Sequence, residues 1–129
     1  SNVLVFKVVP YAPPPKVPVP TLGTLWVTGD AFNSGWSNPL GSPYDVSQKL
    51  AKITETLYEG VVAFKGGGAY KIIQENGVWG TQYHKVTGDA FAGTFEKKDA
   101  DPAFDGPAVA GNYKISVDFQ AGTYTVTKQ

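Results

Sequence analysis

From Tyr113 to Thr127 apolar and polar residues take turns, and this alternation constrains the fold more than any other feature of the chain. Tyr113, Ile115, Val117 and Phe119 alternate with Lys114, Ser116 and Asp118. After Gln120-Ala121-Gly122, Tyr124 and Val126 alternate with Thr123, Thr125 and Thr127. Successive side chains of a strand point to opposite faces, so a period of two gives one apolar and one polar face. A helix with a period of 3.6 would scatter the same residues around its axis. The segment therefore predicts a C-terminal hairpin. Shorter stretches read the same way: Leu25-Trp26-Val27 before Gly29-Asp30, Tyr58 to Phe64, Tyr70 to Ile73, and Trp79 to Val86. Gly66-Gly67-Gly68 is a tight turn between two of them. Val46 to Ile53 reads as a further strand, with a short helix over Gln48 to Lys52 left open. About seven short strands separated by turn signals predict an all-β, antiparallel β-sandwich.

Two segments stand outside this pattern. Residues 10–20 hold six prolines in eleven positions, which excludes a helix or central strand and favours an extended spacer. An SH3-type ligand is the alternative reading of that stretch, and a linker is the simpler one. Residues 3–9 then read as the last strand of a preceding domain, so 1–20 are a domain end plus linker and 21–129 the domain proper. Residues 88–111 are poor in pattern and rich in Gly, Asp and Ala, and predict a long surface insertion. Val-Thr-Gly-Asp-Ala-Phe occurs at 27–32 and again at 86–91 with unlike flanks, which reads as shared strand-end chemistry and not as a duplicated unit.

Composition removes several function classes. The 129 residues include no cysteine, which excludes disulfides, thiolate metal sites and thiol nucleophiles. Eleven lysines balance eleven acidic residues and there is no arginine, the opposite of a nucleic-acid footprint. No apolar run reaches the length of a membrane helix. The low charged fraction, 17%, with many Gly, Pro and aromatic residues, suits an exported β-protein. His84 is the single histidine and lies in no triad-like setting, and no Gly-x-Ser-x-Gly occurs. A glycosidase would need two placed carboxylates, for which Asp30, Asp45 and Glu75 are the nearest in sequence to the aromatic loops. Lys65-Gly66-Gly67-Gly68 lacks the closing residues of a phosphate loop. Asp99, Asp101 and Asp105 cluster, but Pro102-Ala103-Phe104 breaks the spacing of a calcium loop, and a solvated loop is the reading carried forward. No catalytic residue, cofactor or metal is expected.

The remaining signal is aromatic. Trp36 lies among Asn, Ser, Gly and Pro in residues 32–39, and Trp79 lies at the turn Asn76-Gly77-Val78-Trp79-Gly80. Tryptophan in a loop presents a broad apolar face with no evident core to bury it. Sugar rings carry flat C–H patches ringed by hydroxyls, which stack on indole while amides, lysines and carboxylates bond the hydroxyls. Two indoles set at an angle match a curved chain such as an α-glucan. Trp26, between Leu25 and Val27, reads instead as buried or sheet-facing.

These residues also carry a resemblance. Leu25-Trp26-Val27-Thr28-Gly29-Asp30-Ala31 followed by Gly35-Trp36 resembles the opening of the carbohydrate-binding domains of SusE and SusF proteins of Bacteroidetes. Phe64-Lys65-Gly66-Gly67-Gly68-Ala69-Tyr70-Lys71-Ile72, then Trp79-Gly80 with Tyr83, and the closing hairpin from Ala110 to Val126 follow in the family's order. The resemblance covers roughly residues 22–128. It implies immunoglobulin-like or starch-binding-module β-sandwiches on outer-membrane lipoproteins at the cell surface, anchored by a lipid outside this stretch. Such domains hold starch without chemistry. By position, Trp36 and Trp79 resemble the two platform aromatics. Lys71 alternates with Tyr70 and Ile72, so it points to the other face, where a sugar contact is available. The family often uses arginine as well as lysine; with no arginine here, Lys85 or another lysine would take that place or the site is weaker, and Asn38 and Tyr83 complete the candidate ligand-binding set.

The expectation is thus a non-catalytic, polysaccharide-binding module for a maltooligosaccharide-like ligand, associated with other outer-membrane glycan-uptake proteins. The alternative is a structural or protein-interaction β-domain of such a surface complex.

Overall fold

The computed structural model describes residues 14–100 and 102–129. Nine strands and one short helical turn follow in order: β1 (Leu25–Thr28), α1 (Tyr44–Ser47), β2 (Lys49–Lys52), β3 (Leu57–Phe64), β4 (Ala69–Ile73), β5 (Gln82–Gly88), β6 (Ala92–Lys97), β7 (Phe104–Asp105), β8 (Gly111–Asp118) and β9 (Thr123–Lys128). Every pairing is antiparallel. The hairpin read from the C-terminal alternation is β8–β9, with Ile115 opposite Val126 and Val117 opposite Tyr124.

The all-β, antiparallel expectation holds, but the ladders do not divide into the two sheets of a sandwich. They run in the order β1-β2-β3-β8-β9-β6-β5-β4, and β4 pairs back onto β1 through Trp26↔Ile73, Val27↔Ile72 and Thr28↔Lys71. The ring of eight strands is therefore closed. Inward positions from all eight fill it: Leu25, Leu50, Val62, Ile72, Tyr83, Phe95, Ile115 and Val126 are all buried. A barrel of this size has an interior just wide enough for side chains. Tyr58, Phe119, Tyr83 and Phe95 interlock edge-to-face in one group. Phe32, Phe64, Tyr70 and Phe104 form another, with Phe104 stacked on Tyr70 at 5.3 Å and edge-on to Tyr124 at 5.0 Å. Phe104 gets there because β7 pairs with Ala69 and Tyr70 along the flank of β4 that β5 leaves free.

Two segments depart from the sequence reading. Residues 88–111 are not a surface insertion: they supply β6, a stave between β5 and β9, together with the core rings Phe95 and Phe104. The proline-rich stretch also enters the core. Val17 is buried, its N–H donates to the Phe119 carbonyl at 3.2 Å, and the carbonyl of Pro18 accepts the Tyr83 hydroxyl at 2.8 Å. The strand read at residues 3–9 lies outside the described residues. Among the described residues no helix is long and apolar enough to cross a membrane.

Candidate functional site

Two loops on the outside of the barrel wall build the candidate site. One, residues 29–43, follows β1, and the other, residues 74–81, joins β4 to β5. The first is folded back on its strand: the Gly29 N–H donates to the Gly35 carbonyl at 3.1 Å, and the Thr28 hydroxyl donates to the Ser37 carbonyl at 2.6 Å. Ser34 and Gln48 tie it to Val27 from the other side. The loops are then locked to each other. The Leu40 N–H donates to Asn76 Oδ1 at 2.7 Å, Asn76 Nδ2 donates to the Leu40 carbonyl at 3.2 Å, and the Gly77 N–H donates to Asn38 Oδ1 at 2.6 Å.

The locking brings Trp36 and Trp79 together. Their ring centroids are 6.2 Å apart and their planes tilt by 47°. Trp36 is 45% exposed, while Trp79 is half-buried. An open pair of tilted indoles on paired loops is a shallow, angled aromatic surface.

The other expected contacts fall elsewhere. Asn38 sits beside the pair but braces the loops: its Oδ1 holds Gly77, and its Nδ2 is buried without a hydrogen-bond partner. Lys71 does leave the core face, as its alternation with Tyr70 and Ile72 requires, but it is covered there. It is 7% exposed and its Nζ donates to Gln82 Oε1 at 2.6 Å and to the Ala100 carbonyl at 2.8 Å. Tyr83 points inward, buried against Phe95 and Phe119, where its hydroxyl donates to Pro18 and accepts from Gln74. Burial pushes its ionisation well above the ordinary tyrosine range. Lys85 pairs with Asp105 at 2.7 Å, beside β7 and not beside the indoles. Tyr83, Lys71 and Lys85 are therefore not brought to the tryptophan pair.

The residue that sequence reasoning missed is Gln82. It lies at the start of β5, buried, and its Nε2 donates to the Trp79 carbonyl at 3.0 Å and to Asp99 Oδ1 at 2.7 Å. Through it Lys71 supports the Trp79 loop from beneath. No spacing rule picks it out, because its importance comes from what folds over it. Asp30, weighed as a carboxylate of interest, accepts the Ala69 N–H at 2.7 Å and closes the barrel end. Among the described residues no group of His, Asp or Glu is placed to hold a metal, and Asp101 of the acidic cluster lies outside them.

Trp26 occupies the outer face of β1, where its Nε1 donates to the Asp45 carbonyl at 2.9 Å and the Lys49 ammonium lies 5.3 Å from its ring centre. Asp45, Val46, Lys49 and Asn76 line a groove of about 600 Å³ around it. Compared with family models, curated proteins and solved structures, the chain matches none.

Proposed function

We propose that the protein is a non-catalytic glycan-binding module that holds a polysaccharide, in first place an α-glucan such as starch, on the Trp36–Trp79 pair. The observation that carries the reading is the pair itself: two indoles from separate loops, 6.2 Å apart, tilted by 47°, one of them 45% exposed. Two adjacent indoles, one of them exposed, form a contiguous apolar face of the kind that meets a ligand. The tilt suits a ligand that curves across both faces. A near-neutral chain without arginine suits an uncharged polymer. The motifs that resemble those of SusE and SusF domains support the same reading and extend it to a lipid-anchored protein at the outer-membrane surface, among other glycan-uptake proteins. A shallow site gives weak single-module binding, on the order of tens of micromolar to millimolar, which repeated modules strengthen by avidity.

Native affinity electrophoresis tests this. Soluble starch in the gel retards the wild-type protein, and Trp36→Ala removes the retardation. Retardation by another polysaccharide, equally lost in the variant, keeps the module and changes the ligand. No retardation by any polysaccharide, with no change of tryptophan fluorescence on adding maltooligosaccharide, favours the second reading, in which the same indoles are a hot spot for a protein partner.

A further inference from the structure

The groove beside Trp26 shares only Asn76 with the site just described, yet it is built like a ligand site. Its volume, about 600 Å³, lies in the range of small-molecule pockets. The Trp26 ring is fixed in place by the hydrogen bond from its Nε1 to Asp45, and Lys49 lies over it. Asp45 Oδ1, on the same wall, is buried without a hydrogen-bond partner. An acceptor left unpaired out of water costs free energy, which a ligand donor would recover once a small turn of the Asp45 side chain brings Oδ1 to the groove. The lining carries two lysines and one aspartate, Lys49, Lys52 and Asp45, and Glu55, paired with Lys52 at 3.0 Å from outside the lining, brings the local charges into balance. That balance fits a neutral, hydroxyl-rich ligand better than a phosphate or an acidic peptide.

We propose that this groove is a second glycan subsite, and that one polysaccharide chain runs from the Trp36–Trp79 pair past Asn76 into it. The proposal rests on the glycan reading of that pair. Continuity along the chain supports it. Asn76 lines the groove and is clamped to Leu40, the next residue, Gly77, is held by Asn38, and Trp79 follows two positions later. Asn76 and Trp79 are three residues apart, at most about 11 Å along the backbone, so the edge of the groove and the indole pair are joined by one short loop. Trp26 then stacks on a further sugar ring once Lys49 swings aside, and Lys49 and Asp45 bond its hydroxyls.

The test is a length series. Titration calorimetry with maltose and maltoheptaose compares wild type with Lys49→Met and Asp45→Asn, both checked for unchanged thermal unfolding. The wild type is expected to bind the long oligomer more tightly than the short one. Each variant is expected to lose about tenfold of affinity for the long oligomer, the effect of one or two hydrogen bonds, and to bind the short one as before. Equal affinity of the wild type for both lengths, or a length advantage that survives both substitutions, overturns the subsite and leaves the Trp36–Trp79 reading standing. If neither maltooligosaccharide binds, short and long oligomers of whichever polysaccharide retards the protein in the gel replace them. Failure of every polysaccharide to retard it removes both proposals.

Discussion

Gln82 uses its whole amide: Nε2 serves the Trp79 carbonyl and Asp99, and Oε1 serves the Lys71 ammonium. Its replacement by leucine takes one acceptor from a nearly buried ammonium and loosens the strand end under Trp79. A loss of about 1–3 kcal/mol of stability is expected in chemical denaturation, together with weaker retardation by polysaccharide. Trp36→Ala should differ in kind, removing binding while costing about 0.5 kcal/mol or less, because the side chain is 45% exposed and is not one of the buried core residues. If that variant unfolds several degrees earlier, Trp36 is a packing residue. At this scale the sequence was half legible. Loop composition marked Trp36 and Trp79, since turn residues on both sides leave an indole no core to enter. Alternation placed Lys71 on the outer face, but it carries no information about the Gln82 amide and the Ala100 carbonyl that meet it there. Tyr83 was misplaced for a related reason: a period of two separates Tyr83 from Gln82 and His84 without saying which side faces inward.

Among the elements, β6 was the least legible and is the most exacting. Its inward positions are Gly93 and Phe95, so the alternation that marks β8 is reduced to a single large side chain. Gly93 is needed because the chain passes so close. A Cβ there would lie 2.0 Å from the Thr87 carbonyl oxygen and 2.7 Å from the Tyr124 hydroxyl. Gly93→Ala should therefore cost about 1–3 kcal/mol or more in a denaturant titration. Gly80→Ala meets nothing within 4 Å and should stay within about 0.5 kcal/mol of wild type. Similar loss in both would refute the close-approach argument. The repeated Val-Thr-Gly-Asp-Ala-Phe does the same work twice. In the first copy β1 ends at Thr28, just before the glycine, and in the second β5 ends at the glycine itself; in each the aspartate accepts backbone N–H groups, Asp30 from Ala69, and Asp89 from Phe91 and Ala92. The copies then diverge, with Phe32 buried and Phe91 exposed.

For the whole molecule, ring closure was beyond the sequence because it depends on the register of β1 against β4, strands 45 or so residues apart with no local turn to announce the pairing. The filled interior has a consequence at high pH. Burial raises the ionisation of Tyr70, Tyr83 and Tyr124, the last to about 12. The folded state thus holds these phenols protonated where the unfolded chain, with an ordinary value of about 10, would release them. Their contribution is fully present below about pH 10 and is lost as pH rises from there through 12. Phenolate absorbance should therefore rise together with loss of fold in that range. Free titration of all seven tyrosines near pH 10 in a still-folded protein would contradict it. At the acid end, the Phe91 and Ala92 N–H groups hold the Asp89 carboxyl below its usual value, so that contribution is present above the ordinary carboxylate range and fades as pH falls below it.

The ring is also uneven. β3 and β8 share eight paired positions and β8 and β9 six, whereas β1–β2 and β2–β3 share two each. Short ladders open first, so amide protons of β1 and β2 should exchange with deuterium sooner than those of β8. The aromatic loops and the Trp26 groove hang from this quicker-breathing side. A glycan seated there would brace a part of the wall held by short ladders, and occupancy would register as slowed exchange in strands it need not touch.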